Sequence, residues 1–197
     1  LNGFVWNDAD DDGLVENAEA RLAGWTVRLV DAGGVPLNLV QTLDPDGYAS
    51  GTVLTGVLAQ AQLTIDGDPS GAVLALASGS GKVFGSRSGG MTSSTWKTGD
   101  FGLVLRIDFT TPVTSVRLDA IGTATGDRAR LDVFDASGTL LGRYTTDELD
   151  SGELETMLVQ RPVADIAYAV ASGHAGAGVR LDRLQFGPET SVRTDAQ

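Results

Sequence analysis

Between Leu103 and Phe186 the chain repeats one pattern six times: a short run in which apolar and polar residues alternate, closed by a turn signal. The runs are Leu103 to Phe109, Ser115 to Ile121, Ala129 to Phe134, Leu140 to Thr145, Ala164 to Ala171 and Val179 to Phe186. A period of two places every second side chain on one face of an extended strand. Strands of this length at this spacing build a sandwich or a barrel. Asp135-Ala136-Ser137-Gly138, between two such runs, predicts a hairpin. The 26 glycines among 197 residues approach twice the usual fraction of about 7%, which favours turns over long helices. Only Asp147 to Gly152 predicts a helical turn.

Nearer the start, Gly24-Trp25-Thr26-Val27-Arg28-Leu29-Val30 alternates as a half-buried strand does. Asp31-Ala32-Gly33-Gly34 then supplies turn chemistry, and Val35 to Val40 is its expected hairpin partner. From residue 41 the texture changes to Gly, Ser and Thr between short apolar runs. The chain is therefore divided into an N-terminal segment (1–40), a β-domain (41–187) and a polar, frayed tail (188–197). Ser78 to Thr95 is the most loop-like stretch of the domain.

Asp8-Ala9-Asp10-Asp11-Asp12-Gly13-Leu14-Val15-Glu16-Asn17-Ala18-Glu19 fits D-x-[DN]-x-[DN]-G-x5-E at every fixed position. A hard divalent cation needs six to eight oxygens, and alternate residues of a tight loop aim their carboxylates inward where Gly permits the bend. Calcium is the expected ion, with side-chain oxygens from Asp8, Asp10, Asp12, Glu16 and Glu19 and the carbonyl of Leu14. The flanking residues are strand-like, so the loop is expected to join strands and not the two helices whose change of angle makes a calcium sensor.

The rest of the composition excludes several classes. With no cysteine there are no disulfides, thiolate zinc sites or cysteine nucleophiles. A net charge of −12 disfavours nucleic acid and anionic membranes as partners. No run of about 18 apolar residues exists, so no membrane insertion is expected. His174, the single histidine, sits in a Gly-rich segment without a G-x-S-x-G motif, and Gly79-Ser80-Gly81-Lys82 lacks the upstream Gly of a phosphate loop. Glu148, Glu153 and Glu155 are the carboxylates a glycoside hydrolase would have to draw on, but they cluster in a segment that reads as a charged surface loop.

Two resemblances emerge. Gly3-Phe4-Val5-Trp6-Asn7-Asp8 through Gly13, followed by Glu19-Ala20-Arg21-Leu22-Ala23-Gly24-Trp25-Thr26-Val27-Arg28-Leu29, resembles the SdrD B-like calcium-binding repeat of serine-aspartate surface adhesins. That resemblance implies an all-β, secreted or wall-anchored bacterial module stiffened by calcium. From Leu43-Asp44-Pro45-Asp46-Gly47-Tyr48 to Val179-Arg180-Leu181-Asp182-Arg183-Leu184-Gln185-Phe186 the chain is similar to galactose-binding-like jelly rolls of exported bacterial proteins, many of them non-catalytic. It implies a second calcium between Asp44 or Asp46 and Asp182; the alternative is that Asp44 and Asp46 simply build a turn around Pro45 and Gly47.

Trp96, Tyr48, Tyr144 and Phe101 are the candidate ligand contacts, since an exposed ring can stack on the apolar face of a sugar. Trp96 stands out because it lies in the polar stretch Ser93 to Asp100; burial at the sandwich end is its alternative. The expected fold is an all-β, antiparallel jelly-roll sandwich with an N-terminal hairpin carrying a calcium loop. The expected function is a non-catalytic, calcium-stabilised structural or adhesive module of a larger secreted or cell-surface bacterial protein, monomeric as a fragment. Its expected partner is a polysaccharide or another surface protein. The alternative is a carbohydrate-binding module, and a polysaccharide-degrading enzyme is a third reading.

Overall fold

The structure is a computed structural model. It describes residues 40–79, 81–98 and 103–187, together with the backbone of four short strands outside them. The chain forms two compact units, Leu1–Leu39 with Glu189–Gln197, and Val40–Pro188. In the first unit, β1 (Val5–Trp6) pairs antiparallel with β2 (Arg21–Leu22). Strand β3 (Thr26–Arg28) pairs with the last strand of the chain, β16 (Ser191–Arg193). The strand read at Gly24 to Val30 therefore has its described partner in the tail that looked frayed. The acidic loop from Asp8 to Glu19 lies outside the described residues, as does the return segment up to residue 39.

The second unit is a two-sheet sandwich. Its strands are β4 (Gln41–Leu43), β5 (Ala61–Ile65), β6 (Ala72–Ser78), β7 (Gly81–Ser88), β8 (Met91–Ser93), β9 (Leu105–Val113), β10 (Ser115–Gly122), β11 (Ala129–Phe134), β12 (Leu140–Thr145), β13 (Leu154–Gln160), β14 (Ile166–Gly173) and β15 (Val179–Gly187). One sheet runs β13-β10-β15-β7-β6, with β4 also on β15 and β8 on β7; the other runs β12-β11-β14-β9-β5. Every pairing between these strands is antiparallel. From β9 onward the chain crosses between the sheets, β9 to β10, β10 to β11, β12 to β13, β13 to β14 and β14 to β15. That crossing is the jelly-roll course.

The alternation anticipated in the sequence is what fills the space between the sheets. Ala129, Leu131 and Val133 of β11 are buried, while Arg130, Asp132 and Phe134 stay partly exposed. Val116, Leu118 and Ala120 of β10 face them across the core with Leu181, Leu184 and Phe186 of β15. The hairpin at Asp135-Ala136-Ser137-Gly138 is present: Asp135 Oδ1 accepts from the N–H groups of Ser137 and Thr139, and Gly138 takes φ +84°.

Three features differ from the sequence reading. The stretch from Ser78 to Thr95 contains β7 and β8 in place of a loop. Strand β7 lies between β15 and β6, and its Gly85 is required there because a Cβ would run into the side chain of Leu76. Such small residues read as loop. Leu154–Gln160, whose first residues look like a charged surface segment, is the edge strand β13, with Met157 and Val159 turned inward. At Asp147 to Gly152 there is no helical turn; Leu149 is buried and pairs with Asp127, its N–H 2.7 Å from the Asp127 carbonyl. No helix among the described residues is long and apolar enough to cross a membrane.

Trp96 anchors one end of the sandwich. It is fully buried, and its indole N–H donates to the Phe84 carbonyl at 2.8 Å. Its backbone exchanges two hydrogen bonds with Val179 and accepts a third from Gly173 N–H. Replacing it by Ala removes a large core side chain and leaves a buried carbonyl without its donor. Trp96→Ala is expected to cost about 3–5 kcal/mol in a urea titration; an unchanged midpoint would contradict the core assignment.

Candidate functional site

After a bend at Ser94, Trp96 is buried, while its neighbours Thr95 and Lys97 are partly exposed and exposed, respectively. They form one wall of a cleft of about 420 Å³ lined by Ser93, Thr95, Lys97, Leu103, Gly176 and Gly178. The facing wall comes from the segment after β14, Gly173-His174-Ala175-Gly176-Ala177-Gly178. Two of its glycines are required for the approach. A Cβ on Gly173 would strike the carbonyls of Ala177 and Trp96, and one on Gly178 would stand 2.7 Å from Thr95 Cγ2. Ser93 is held in its own turn, its hydroxyl accepting from Thr95 N–H at 3.0 Å and donating to the Thr95 carbonyl at 3.2 Å. Lys97 N–H donates to the Leu103 carbonyl at 3.1 Å, which brings Leu103 to the rim.

The cleft thus offers hydroxyls, glycine backbone, one ammonium and one Leu. Trp96, singled out as the ring that would stack on a ligand, has no exposed face. Its burial is the alternative that the sequence already offered for it. The large ring inside a polar stretch packs into the core beside the cleft. Phe101 lies outside the described residues. Tyr48 and Tyr144 are partly buried against the core and do not line the cleft. The Tyr144 hydroxyl donates to Glu155 Oε1 at 2.8 Å, and this bond to a carboxylate raises its pKa.

The acids considered for glycoside hydrolysis are committed separately: Glu148 to Arg128 at 2.9 Å, Glu153 to the N–H of Asp150 at 2.8 Å, and Glu155 to Tyr144. His174 Nε2 lies 2.8 Å from Arg130 Nη2. A guanidinium only donates, so this ring nitrogen accepts and the imidazole proton is assigned to Nδ1. On the outer face of the five-stranded sheet, Tyr168 is covered on both sides, by Phe134 in a near-parallel stack at 4.8 Å and by Arg106 Cζ at 3.9 Å. Arg106 is itself paired with Asp108 at 2.7 Å, and Arg143 with Asp132 at 2.6 Å. Two arginines of that face are thus matched to aspartates.

Asp44, Asp46 and Asp182, the second candidate metal set, do come together. Asp119 and Asp182 are cross-strand partners beside a bulge that leaves Arg183 unpaired in the ladder at φ +37°. Burial, and then the charges of Asp44, Asp46 and Asp119, push the Asp182 carboxyl up to about 6, against the Arg183 N–H, which favours its charged form. The carboxylates are otherwise engaged. Asp44 caps the Pro45–Gly47 turn and lies 3.4 Å from Arg183 Nε, while Asp46 Oδ1 accepts from Lys82 N–H at 2.6 Å. No three His, Cys, Asp or Glu side chains among the described residues converge as a metal site. In this arrangement two of the trio, Asp44 and Asp46, accept from protein donors.

No family model matches the chain, and no curated protein matches it. Among solved structures, it is similar to a family 6 carbohydrate-binding module (15% identity, 76% of this chain and 94% of that one, TM-score 0.34). It is also similar to the family 11 carbohydrate-binding module of cellulosomal cellulase Lic26A-Cel5E of Clostridium thermocellum (13%, 85% and 98%, TM-score 0.30). A third is the enzymatically active domain of bacteriophage CBA120 tailspike protein 4 (11%, 66% of this chain, TM-score 0.34), of which this chain spans 19%. The sandwich assignment rests on the chain's own strand order.

The acidic group has a consequence for stability. Because the folded pKa of Asp182 is raised above its ordinary value of 3.8, the folded state holds a proton that the unfolded chain releases. Stability from this group is present in acid and lost as pH rises from about 4 through about 6. Asp182→Asn is expected to raise the melting temperature at pH 7.5 and to flatten that slope. A variant that melts at or below the parent at pH 7.5 would contradict the assignment.

Proposed function

We propose that this chain is a non-catalytic, glycan-binding module of an extracellular bacterial protein, with its ligand in the cleft between the Ser93–Lys97 wall and the Gly173–Gly178 segment. The cleft carries this reading. A polyhydroxylated ligand needs several donors and acceptors around a small apolar patch, and hydroxyls, glycine backbone, Lys97 and Leu103 supply that set. Its volume falls within the roughly 300–1,000 Å³ of small-ligand sites. The chemistry of its lining supports binding over turnover, since the Ser93 hydroxyl is used in its own turn and His174 is engaged by Arg130.

The test is titration calorimetry against a panel of soluble oligo- and polysaccharides, with Thr95→Trp as the variant that fills the cleft and circular dichroism to confirm its fold. Binding by the parent and a loss of at least tenfold in the variant is expected. Silence of the parent across the panel, or full binding by the folded variant, would reject the cleft as the site. Release of shortened products would point to the polysaccharide-degrading reading.

A second reading, structural stabilisation by calcium, is favoured by the N-terminal unit. Antiparallel pairing of Val5 with Leu22 and Trp6 with Arg21 brings together the two ends of the segment that holds Asp8, Asp10, Asp12, Leu14, Glu16 and Glu19. An all-oxygen donor set closed at its base suits a hard cation. Calcium bound to the folded loop alone would add RT ln(1 + [Ca]/Kd), about 1.4 kcal/mol at ten times Kd. Melts in EDTA, calcium and magnesium at one ionic strength are expected to show a calcium-selective rise that Asp10→Ala with Asp12→Ala abolishes. Coincident melting curves would remove the calcium reading.

A further inference from the structure

Resting on the glycan reading of the cleft, we infer that the sugar it selects is acidic, a uronate, and that Lys97 is the residue that selects it. In a chain of 26 acidic and 14 basic residues, cations find carboxylate partners readily. Lys82, Arg106, Arg128, Arg143, Arg161 and Arg183 each have one, at 2.6 to 3.9 Å. Lys97, like Arg87, Arg117, Arg130 and Arg180, forms no ion pair among the described residues, and of the described residues that line the cleft it is the only charged one. Among the described residues no carboxylate lines it either.

The positive character continues past the rim. Lys97 pairs with Gly173 in a short parallel bridge, and the Thr98 hydroxyl donates to the Gly173 carbonyl at 3.3 Å. The next residue, His174, is met by Arg130, which also has no carboxylate partner among the described residues. Arg130 of β11 therefore reaches the end of the segment that walls the cleft, while Arg106 and Arg143 on the same outer sheet face are matched to aspartates. An ammonium with three donors and no internal counter-ion favours an anionic acceptor, and a hydrogen bond between charged groups is roughly twice as strong as a neutral one. A single ammonium matches one carboxylate per residue bound. A densely sulfated chain would meet the surrounding surface of a protein with net charge −12 unfavourably.

The experiment compares oligomers of galacturonate, mannuronate and glucuronate-bearing xylan with their methyl esters, which keep the sugar and remove the charge. Heparin is the sulfated arm. Affinities are read by calorimetry at 20 and 200 mM NaCl. The acid form of at least one oligomer is expected to bind at least tenfold more tightly than its ester, with the gap narrowing at the higher salt. Lys97→Gln should collapse the gap. Arg117→Gln, the same charge change at an exposed residue of β10, should preserve it. Esters that bind as well as acids, a preference that survives Lys97→Gln, or tighter binding of heparin than of any uronate would overturn the inference and leave the glycan site standing. A parent silent towards every acidic and neutral sugar would overturn both.

Discussion

One buried ring organises the end of the sandwich on which function is placed. The indole of Trp96 is held by its N–H on the Phe84 carbonyl, and its backbone is tied to Val179 and Gly173. Phe84 and Val179 belong to the seven-stranded sheet and Gly173 to the five-stranded one, so the residue joins both layers. Thr95 and Lys97, on either side of it, are partly exposed and exposed, respectively. The cleft is a by-product of packing, and its polar wall is as rigid as the core behind it. Glycine completes the arrangement from the other side, since Gly173 and Gly178 come too close to other chain segments to carry a Cβ.

The charges divide into two kinds. Most described cations are matched with carboxylates on the surface, where exposed pairs contribute about 0–1 kcal/mol each and serve mainly to keep an acidic surface locally balanced. Asp182 and Lys97 are of the other kind, with opposite sign, as are Arg87, Arg117, Arg130 and Arg180, which form no ion pair among the described residues. Asp182 is half-buried among three other aspartates, with Arg183 and Lys82 drawn in against Asp44 and Asp46. Lys97 stands in the cleft with no acid across from it among the described residues. A group left unbalanced is where pH or a ligand has leverage, and Asp182 and Lys97 give the molecule one point of each.

Much of the architecture was legible because alternation with a period of two is a direct consequence of strand geometry. The runs beginning at Ser115, Ala129, Leu140 and Val179 start at their strands, and the Asp135 hairpin carries its turn chemistry in four residues. What escaped was β7, whose Gly85 and Ser86 are small because a strand packed between neighbours leaves them no room, so its composition imitates a loop. Strand β13 escaped for the opposite reason. As an edge strand it can start among the charged residues of a polar segment and still turn Met157 and Val159 into the core.

By itself the sequence determined the fold class, the antiparallel sandwich and the acidic loop motif, because each depends on residues close together along the chain. Only the tertiary structure decided that Trp96 is buried while Lys97 beside it is exposed, that among the described residues Lys97 has no acid opposite it while Arg106 and Arg143 do, and that Arg183 and Lys82 reach the aspartates expected to hold a metal. Those outcomes depend on contacts between segments far apart in the chain, such as Trp96 with Val179 and Arg183 with Asp44. No local pattern encodes them, since whether a polar or aromatic side chain is buried, paired or free is settled by what the fold brings against it.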